Sequence, residues 1–365
     1  MARECVTLNR RERKLLAVIF VVTILPLCAA LPQAAPSELR IRLQSNDGTA
    51  VAGALVALLD PNDSVVAEGL SSQSGTRILR APSGIYRVRA RRIGFLPFFS
   101  SPVVLPRQGE LRLDIETARV VLDRIVVNSK SPCSRSDPGS RSLGIVWDEI
   151  DKALRASQLT IEDLSGFGRG RVFRREVANN GAVLSTDTTF FDIINQRPFG
   201  AIDPDSLARA GYVYGDEANG WTFYAPDETV LLSDRFAATH CFRLVREAKR
   251  SGEIGVAFEP IPQRKLADIF GVLWVDERTS ELREIIFHFV NAGVLTRFEP
   301  GGFTRFLRVP SGAWIVDEWL LKLPRLSVKR SAFIDQEYML TGYNEHGGGI
   351  LNGAPRAADS LNRKH

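Results

Sequence analysis

Histidine is scarce in this chain, and its four copies, His240, His288, His346 and His365, are poorly spaced for metal chemistry. A zinc peptidase needs a His-x-x-Glu ligand pair and a further distant His. His240 is followed by Cys241-Phe242-Arg243 and His288 by Phe289-Val290-Asn291, so neither opens such a pair. No Gly-x-Ser-x-Gly elbow surrounds Ser233. Cys241 adjoins His240, but neighbouring side chains on a helix or strand diverge, whereas a dyad needs contact. Gly166-Phe167-Gly168-Arg169-Gly170 lacks both a preceding strand and the Lys-Ser/Thr ending of a phosphate loop. These absences predict a protein that binds and does not catalyse, without metal or cofactor. A divergent hydrolase would need His240 or His288 exposed and paired with a carboxylate.

Long apolar runs are wanting too. Leu15 to Leu27 spans 13 residues, short of the about 20 that a membrane-spanning helix needs. It follows the basic cluster Arg10, Arg11, Arg13, Lys14 and ends at Cys28-Ala29-Ala30. That order predicts a secretory signal peptide over residues 1–30, cleaved after Ala30, with an uncleaved anchor as the alternative. Lipidation of Cys28 is disfavoured by the bulky Leu27 before it. The expected location is the periplasm or the outer membrane, or outside the cell, with membrane association left open. Excess charge then disappears as well. Residues 1–30 hold five of the 47 basic and two of the 42 acidic residues, which leaves 42 against 40, or +2 in place of +5. A nucleic-acid partner loses its compositional support.

Cysteine is equally sparse. With the signal removed, Cys133 and Cys241 remain, and two thiols in an oxidising compartment most simply pair. A loop of about 100 residues would gain roughly 4–5 kcal/mol from the bridge in the chain-entropy model. Two unrelated buried thiols are the alternative.

What the chain does have is alternation. Leu39, Ile41 and Leu43 interleave with Arg40, Arg42 and Gln44, and Asn46-Asp47-Gly48 supplies a turn. Tyr86, Val88 and Ala90 alternate with Arg87, Arg89 and Arg91, and Leu111, Leu113 and Ile115 repeat the pattern. The arginine stripe reads as a solvated strand face that discourages edge pairing. Short strands at this spacing predict a sandwich over 38–127.

Asp47-Gly48, Ala52-Gly53-Ala54-Leu55-Val56, Ser74-Gly75-Thr76-Arg77-Ile78, Ala81 to Arg89 and Gly94-Phe95-Leu96-Pro97 together resemble the carboxypeptidase regulatory-like domain. The resemblance covers about a quarter of the chain. It implies a transthyretin-like seven-strand sandwich and an accessory, adhesion or sugar-binding role without catalytic residues. Val121 to Val127 is similar to the segment that joins such modules to TonB-dependent receptors, a hint of the envelope.

A Ser/Pro/Arg/Gly-rich linker is predicted over 128–142, then a mostly antiparallel β domain with a few short helices over 143–345, and a disordered tail over 346–365. Within it, Ile145–Ala156 has helical periodicity. Val172–Val177 and Val183–Phe191 flank a turn at Asn179-Asn180-Gly181, and Asp268–Val275 with Glu281–Asn291 is the clearest hairpin. Phe303–Val309, Trp314–Leu323 and Leu326–Leu340 continue the meander. Gly271 to Arg283 is faintly similar to a hairpin of bacterial lipoprotein carriers, half-open barrels that hold an acyl chain. Trp221, Tyr224, Trp274, Trp314 and Trp319 are the candidate ligand-facing aromatics, with an ordinary core role as the alternative. Fold class is therefore mainly β. Function is recognition of a glycan or an envelope protein, with lipid handling by a curved sheet as the second reading.

Overall fold

The computed structural model describes residues 36–116, 120–122, 125, 139–163, 169–192, 202–216, 220–309, 312, 314–331 and 334–351. The predicted signal peptide, Cys133, most of the predicted linker and His365 lie outside them.

The fold is mainly β. Its first part contains β1 (Ser37–Ser45), β2 (Leu55–Leu59), β3 (Val65–Leu70), β4 (Thr76–Ala81), β5 (Gly84–Arg91), β6 (Phe98–Phe99), β7 (Val103–Leu105) and β8 (Glu110–Ile115). One sheet is ordered β4-β1-β8, with β1 and β8 parallel; the other is β3-β2-β5-β6, with β7 also on β5. Period-2 alternation turns Leu39, Ile41 and Leu43 inward, all fully buried, against Val56, Leu58, Val88 and Ala90 of the facing sheet. The Asp47 carboxylate accepts the Thr49 N–H at 3.0 Å, closing the first turn, and Gly48 follows at φ +81°. Eight strands stand where seven are expected, the extra one being the two-residue β6.

The second part opens with helix α1 (Gly139–Asp163), 25 residues long. Then come β9 (Arg169–Ala178), β10 (Val183–Asp192), α2 (Pro204–Ala210), β11 (Val213–Asp216), β12 (Gly220–Phe223), α3 (Glu228–Leu231) and α4 (Asp234–Thr239). They lead to β13 (His240–Val245), β14 (Glu253–Pro260), β15 (Asp268–Asp276), β16 (Leu282–Val290), β17 (Gly301–Arg308), β18 (Trp314–Ser331) and β19 (Ile334–Leu351). A nine-stranded antiparallel sheet runs β10-β9-β19-β18-β17-β16-β15-β14-β13. Val146, Ile150, Ala153 and Leu154 of α1 are fully buried against Ile254, Val256, Ile269, Leu273 and Phe287 of that sheet.

Several elements differ from expectation for identifiable reasons. Helix α1 extends beyond 145–156 at both ends and absorbs the last residues of the predicted linker. The predicted tail begins inside a strand, since β19 continues to Leu351. Its glycine run is a packing requirement: a Cβ at Gly347 would collide with the Phe173 ring, and one at Gly348 with Trp319. Strand β18 passes straight through Pro324, with a bulge at Arg325/Leu326 taking the place of the predicted break. The helix capped by Ser233 gives way to strand β13 at His240.

The arginine stripe is only partly a solvated face. Arg91 is 11% exposed and bonds Asp151 of α1 at 2.7 Å, while Arg87 pairs with Asp63. Beyond it, the Gly94-Phe95 turn is fastened to α1. The Gly94 N–H donates to Glu149 at 2.7 Å, and Lys152 donates to the Phe95 carbonyl at 3.0 Å, to Glu149 at 2.7 Å and to Asp148 at 2.8 Å. Glu149 and Lys152 are both fully buried, and burial pushes the Glu149 carboxyl above the ordinary carboxylate range, against the Lys152 charge. Nearby, Gly53 and Gly312 meet so closely that neither has room for a Cβ. The described residues, which run from Pro36 to Leu351, accordingly form one compact unit. Glu149→Ala, which leaves the buried Lys152 ammonium only Asp148 and the Phe95 carbonyl and takes the acceptor from the Gly94 N–H, is predicted to cost about 3 kcal/mol in urea unfolding, and a paired Glu149→Leu/Lys152→Met variant to recover most of it.

Candidate functional site

The five candidate aromatics do not form one wall. Trp274 and Trp314 are 1% exposed, so both are core residues. Arg250 lies 4.7 Å over the Trp274 ring. Trp221 is exposed on the small β11–β12 hairpin, and Tyr224 beyond it packs edge-on against Tyr214 at 5.2 Å. Trp319 alone is half-buried on the large sheet, laid over Gly348. Cys241 is buried on β13, and its proposed partner Cys133 lies outside the described residues.

The histidines resolve differently. His240 Nε2 lies 3.1 Å from Asp268 Oδ1, and its ring stacks on Phe236 at 3.9 Å. The other Asp268 oxygen accepts from Arg264, whose guanidinium also donates to the Leu207 and Ala208 carbonyls at 3.0 and 2.6 Å. Burial, then the Asp268 charge, drives the Tyr212 phenol far above its usual range. Both side chains of the His–Asp pair are fully buried, so this network locks α2 and α4 onto β13 and β15 and presents no edge to a substrate. Ser233 is occupied as the cap of α4, accepting from Phe236 N–H at 3.1 Å and donating to Val230 O at 2.7 Å. His288 stacks on the exposed Phe270 at 5.2 Å. No group of three His, Cys, Asp or Glu among the described residues is placed to hold a metal. No helix among them is long and apolar enough to cross a membrane.

Among the described residues, the open feature is β10. It is the end strand of the nine-stranded sheet, and every residue from Val183 to Phe190 is exposed, with Leu184 at 59%. Val183 and Phe190, at the two ends of the strand, and Val172 on β9 are exposed apolar residues. The opposite edge is shielded: β13 buries His240, Cys241 and Leu244, and Arg246 just past it binds the Ile125 carbonyl at 2.7 Å. A free ladder edge offers backbone N–H and C=O groups to an incoming strand. The β9–β10 hairpin was legible in the sequence, but its edge position was not singled out. The available signal is Val183–Asp192 itself, which lacks a consistent apolar face.

On β19 beside this edge, burial, and then the Arg174 guanidinium, hold the half-buried His346 imidazole below its ordinary pKa. The folded state therefore binds fewer protons than the unfolded chain between the two values. His346 contributes stability above the ordinary histidine value and loses it as pH falls toward the folded one. Arg174→Gln should move the His346 titration part of the way back up, read by NMR, with burial retaining the rest of the shift.

Compared with known proteins, the chain matches no family model, and no curated protein matches it either.

Proposed function

We propose that this is an exported, non-catalytic binding protein of the cell envelope that takes an extended segment of an envelope protein as an added strand on β10. The carrying observation is the ten-residue edge strand, exposed from Val183 to Phe190 and paired on one side only among the described residues. Export rests on the N-terminal sequence pattern. The accessory role is what the resemblance to carboxypeptidase regulatory-like domains implies for residues 38–127.

The rival readings have less support. A glycan platform wants two or three exposed rings on one concave face, and Trp274 and Trp314 are core. An acyl carrier wants a dry space between sheet and helix, and there the side chains of α1 pack directly on the strands. The one pocket described in the sandwich, under Phe95 and Leu96, has room for little more than a water molecule.

A photo-crosslinking residue at Leu184, Thr186, Thr188 or Phe190 should trap polypeptide in the native envelope, whereas one at Arg243 on the shielded β13 should not. Equal labelling from both edges, or adducts to lipid alone, would sink the reading. On the same preparation, a mass two units below the fully reduced value would establish the Cys133–Cys241 bridge.

A further inference from the structure

Side-chain chemistry around the open edge goes beyond its shape. The antiparallel register sets Arg171 beside Phe190, Phe173 beside Thr188, Arg175 beside Thr186 and Arg169 beside Asp192. Alternation thus gathers Arg169, Arg171, Phe173 and Arg175 on one face of β9. Arg175 is committed, bonding Glu345 at 2.5 Å. Arg169 and Arg171 are exposed, and no carboxylate among the described residues pairs with either. Aromatic rings back them instead. The Arg169 guanidinium lies 5.8 Å from the Phe190 centroid, and Arg171 lies 5.9 Å from that of Phe173. Arg169 therefore leans across the outermost strand toward the free edge. The faces differ in net charge: the register places Arg169, Arg171, Arg175 and Asp192 on this one, and Arg174, Glu176 and Asp187 on the other.

An added strand would lie about 4.8 Å beyond β10, with its own side chains alternating between the same two faces. We infer that the segment recognised at β10 is acidic, with carboxylates at alternate positions on the face that Arg169 and Arg171 share. This rests on the edge reading proposed above. A carboxylate there meets unpaired guanidinium groups whose fork geometry suits it and whose aromatic backing lowers their mobility. An anionic lipid surface would satisfy the same charges. It has no in-register N–H and C=O groups for the open ladder, which favours a polypeptide.

The test uses the full chain and two synthetic ten-residue peptides, one alternating Glu with Val and the other Lys with Val, followed by fluorescence anisotropy. The Glu peptide should bind at least about tenfold more tightly and weaken with salt, as two or three partly exposed ion pairs would give. Arg169→Glu/Arg171→Glu should reverse that preference. If this variant loses its circular dichroism signature, Arg169→Gln/Arg171→Gln should abolish the preference instead. Thr188→Pro and Thr189→Pro remove adjacent N–H groups, one of which points outward from the edge. Equal binding of both peptides, lost in one proline variant, would overturn the acidic partner and leave the edge reading standing. Binding to vesicles of anionic phospholipid with neither peptide bound would overturn both, and so would binding of no probe.

Discussion

The buried Glu149–Lys152 pair is the constraint on which the arrangement of the two sheets depends. The turn Arg92–Pro97 buries Ile93 in the core that α1 shares with the large sheet, but an apolar contact of that kind does not fix its position along the helix. Here its backbone is held by charge: Gly94 N–H on Glu149, and the Phe95 carbonyl on Lys152. Taking two ions out of water costs several kcal/mol each, so such pairs contribute little net stability compared with apolar side chains of the same volume. What they supply is geometry. Apolar contacts alone tolerate sliding of one element over another, whereas donors and acceptors at 2.7–3.0 Å fix the turn to one position on the helix.

Helix α1 then determines what the second sheet has to offer. One side of it holds the sandwich through Asp148, Glu149, Asp151 and Lys152, and another fills the space before β13–β16 and β18. Where α1 lies against these strands, side chains fill the space between helix and sheet. Ion pairs occupy much of the outer face, where Arg250 and Arg305 both engage Glu284 and Arg305 continues to Glu318. At the rim, β10 is paired on one side only among the described residues.

Much of the fold was legible because its signals are local. Leu39-Ile41-Leu43 and the Asp268–Val290 hairpin carry clean period-2 patterns with turn residues between them. The misses share a different cause, which is partners distant in sequence. Nothing near Gly347-Gly348-Gly349 reveals that Phe173 and Trp319 will cover those glycines, so the run reads as a loop. Arg91 reads as a solvated strand residue until Asp151, 60 positions away, comes beside it. His240, with no ligand-like spacing in the sequence, finds its partner in Asp268, 28 positions away, which Arg264 also engages. The candidate edge was concealed in the same way, since strand order is long-range information that a hairpin does not contain.

The two edges of the large sheet differ in how they are protected among the described residues. Proteins ordinarily blunt a free edge with lysine, proline, a pronounced bulge or a covering segment, because an unpaired ladder recruits other chains. Strand β13 follows that practice, with the chain at Leu122 and Ile125 brought against Arg246. Strand β10 has neither lysine nor proline, and its one irregularity lies at the Val183/Ser185 end. Its central residues Thr186, Thr188, Thr189 and Phe190 are strong strand formers exposed to water. The charges at this edge are Asp187 and Asp192 on the strand, and Arg169 and Arg171 behind it. On the proposed edge reading, the guanidinium groups would disfavour basic segments and favour acidic ones, whereas lysine or proline along the strand would discourage pairing of every kind.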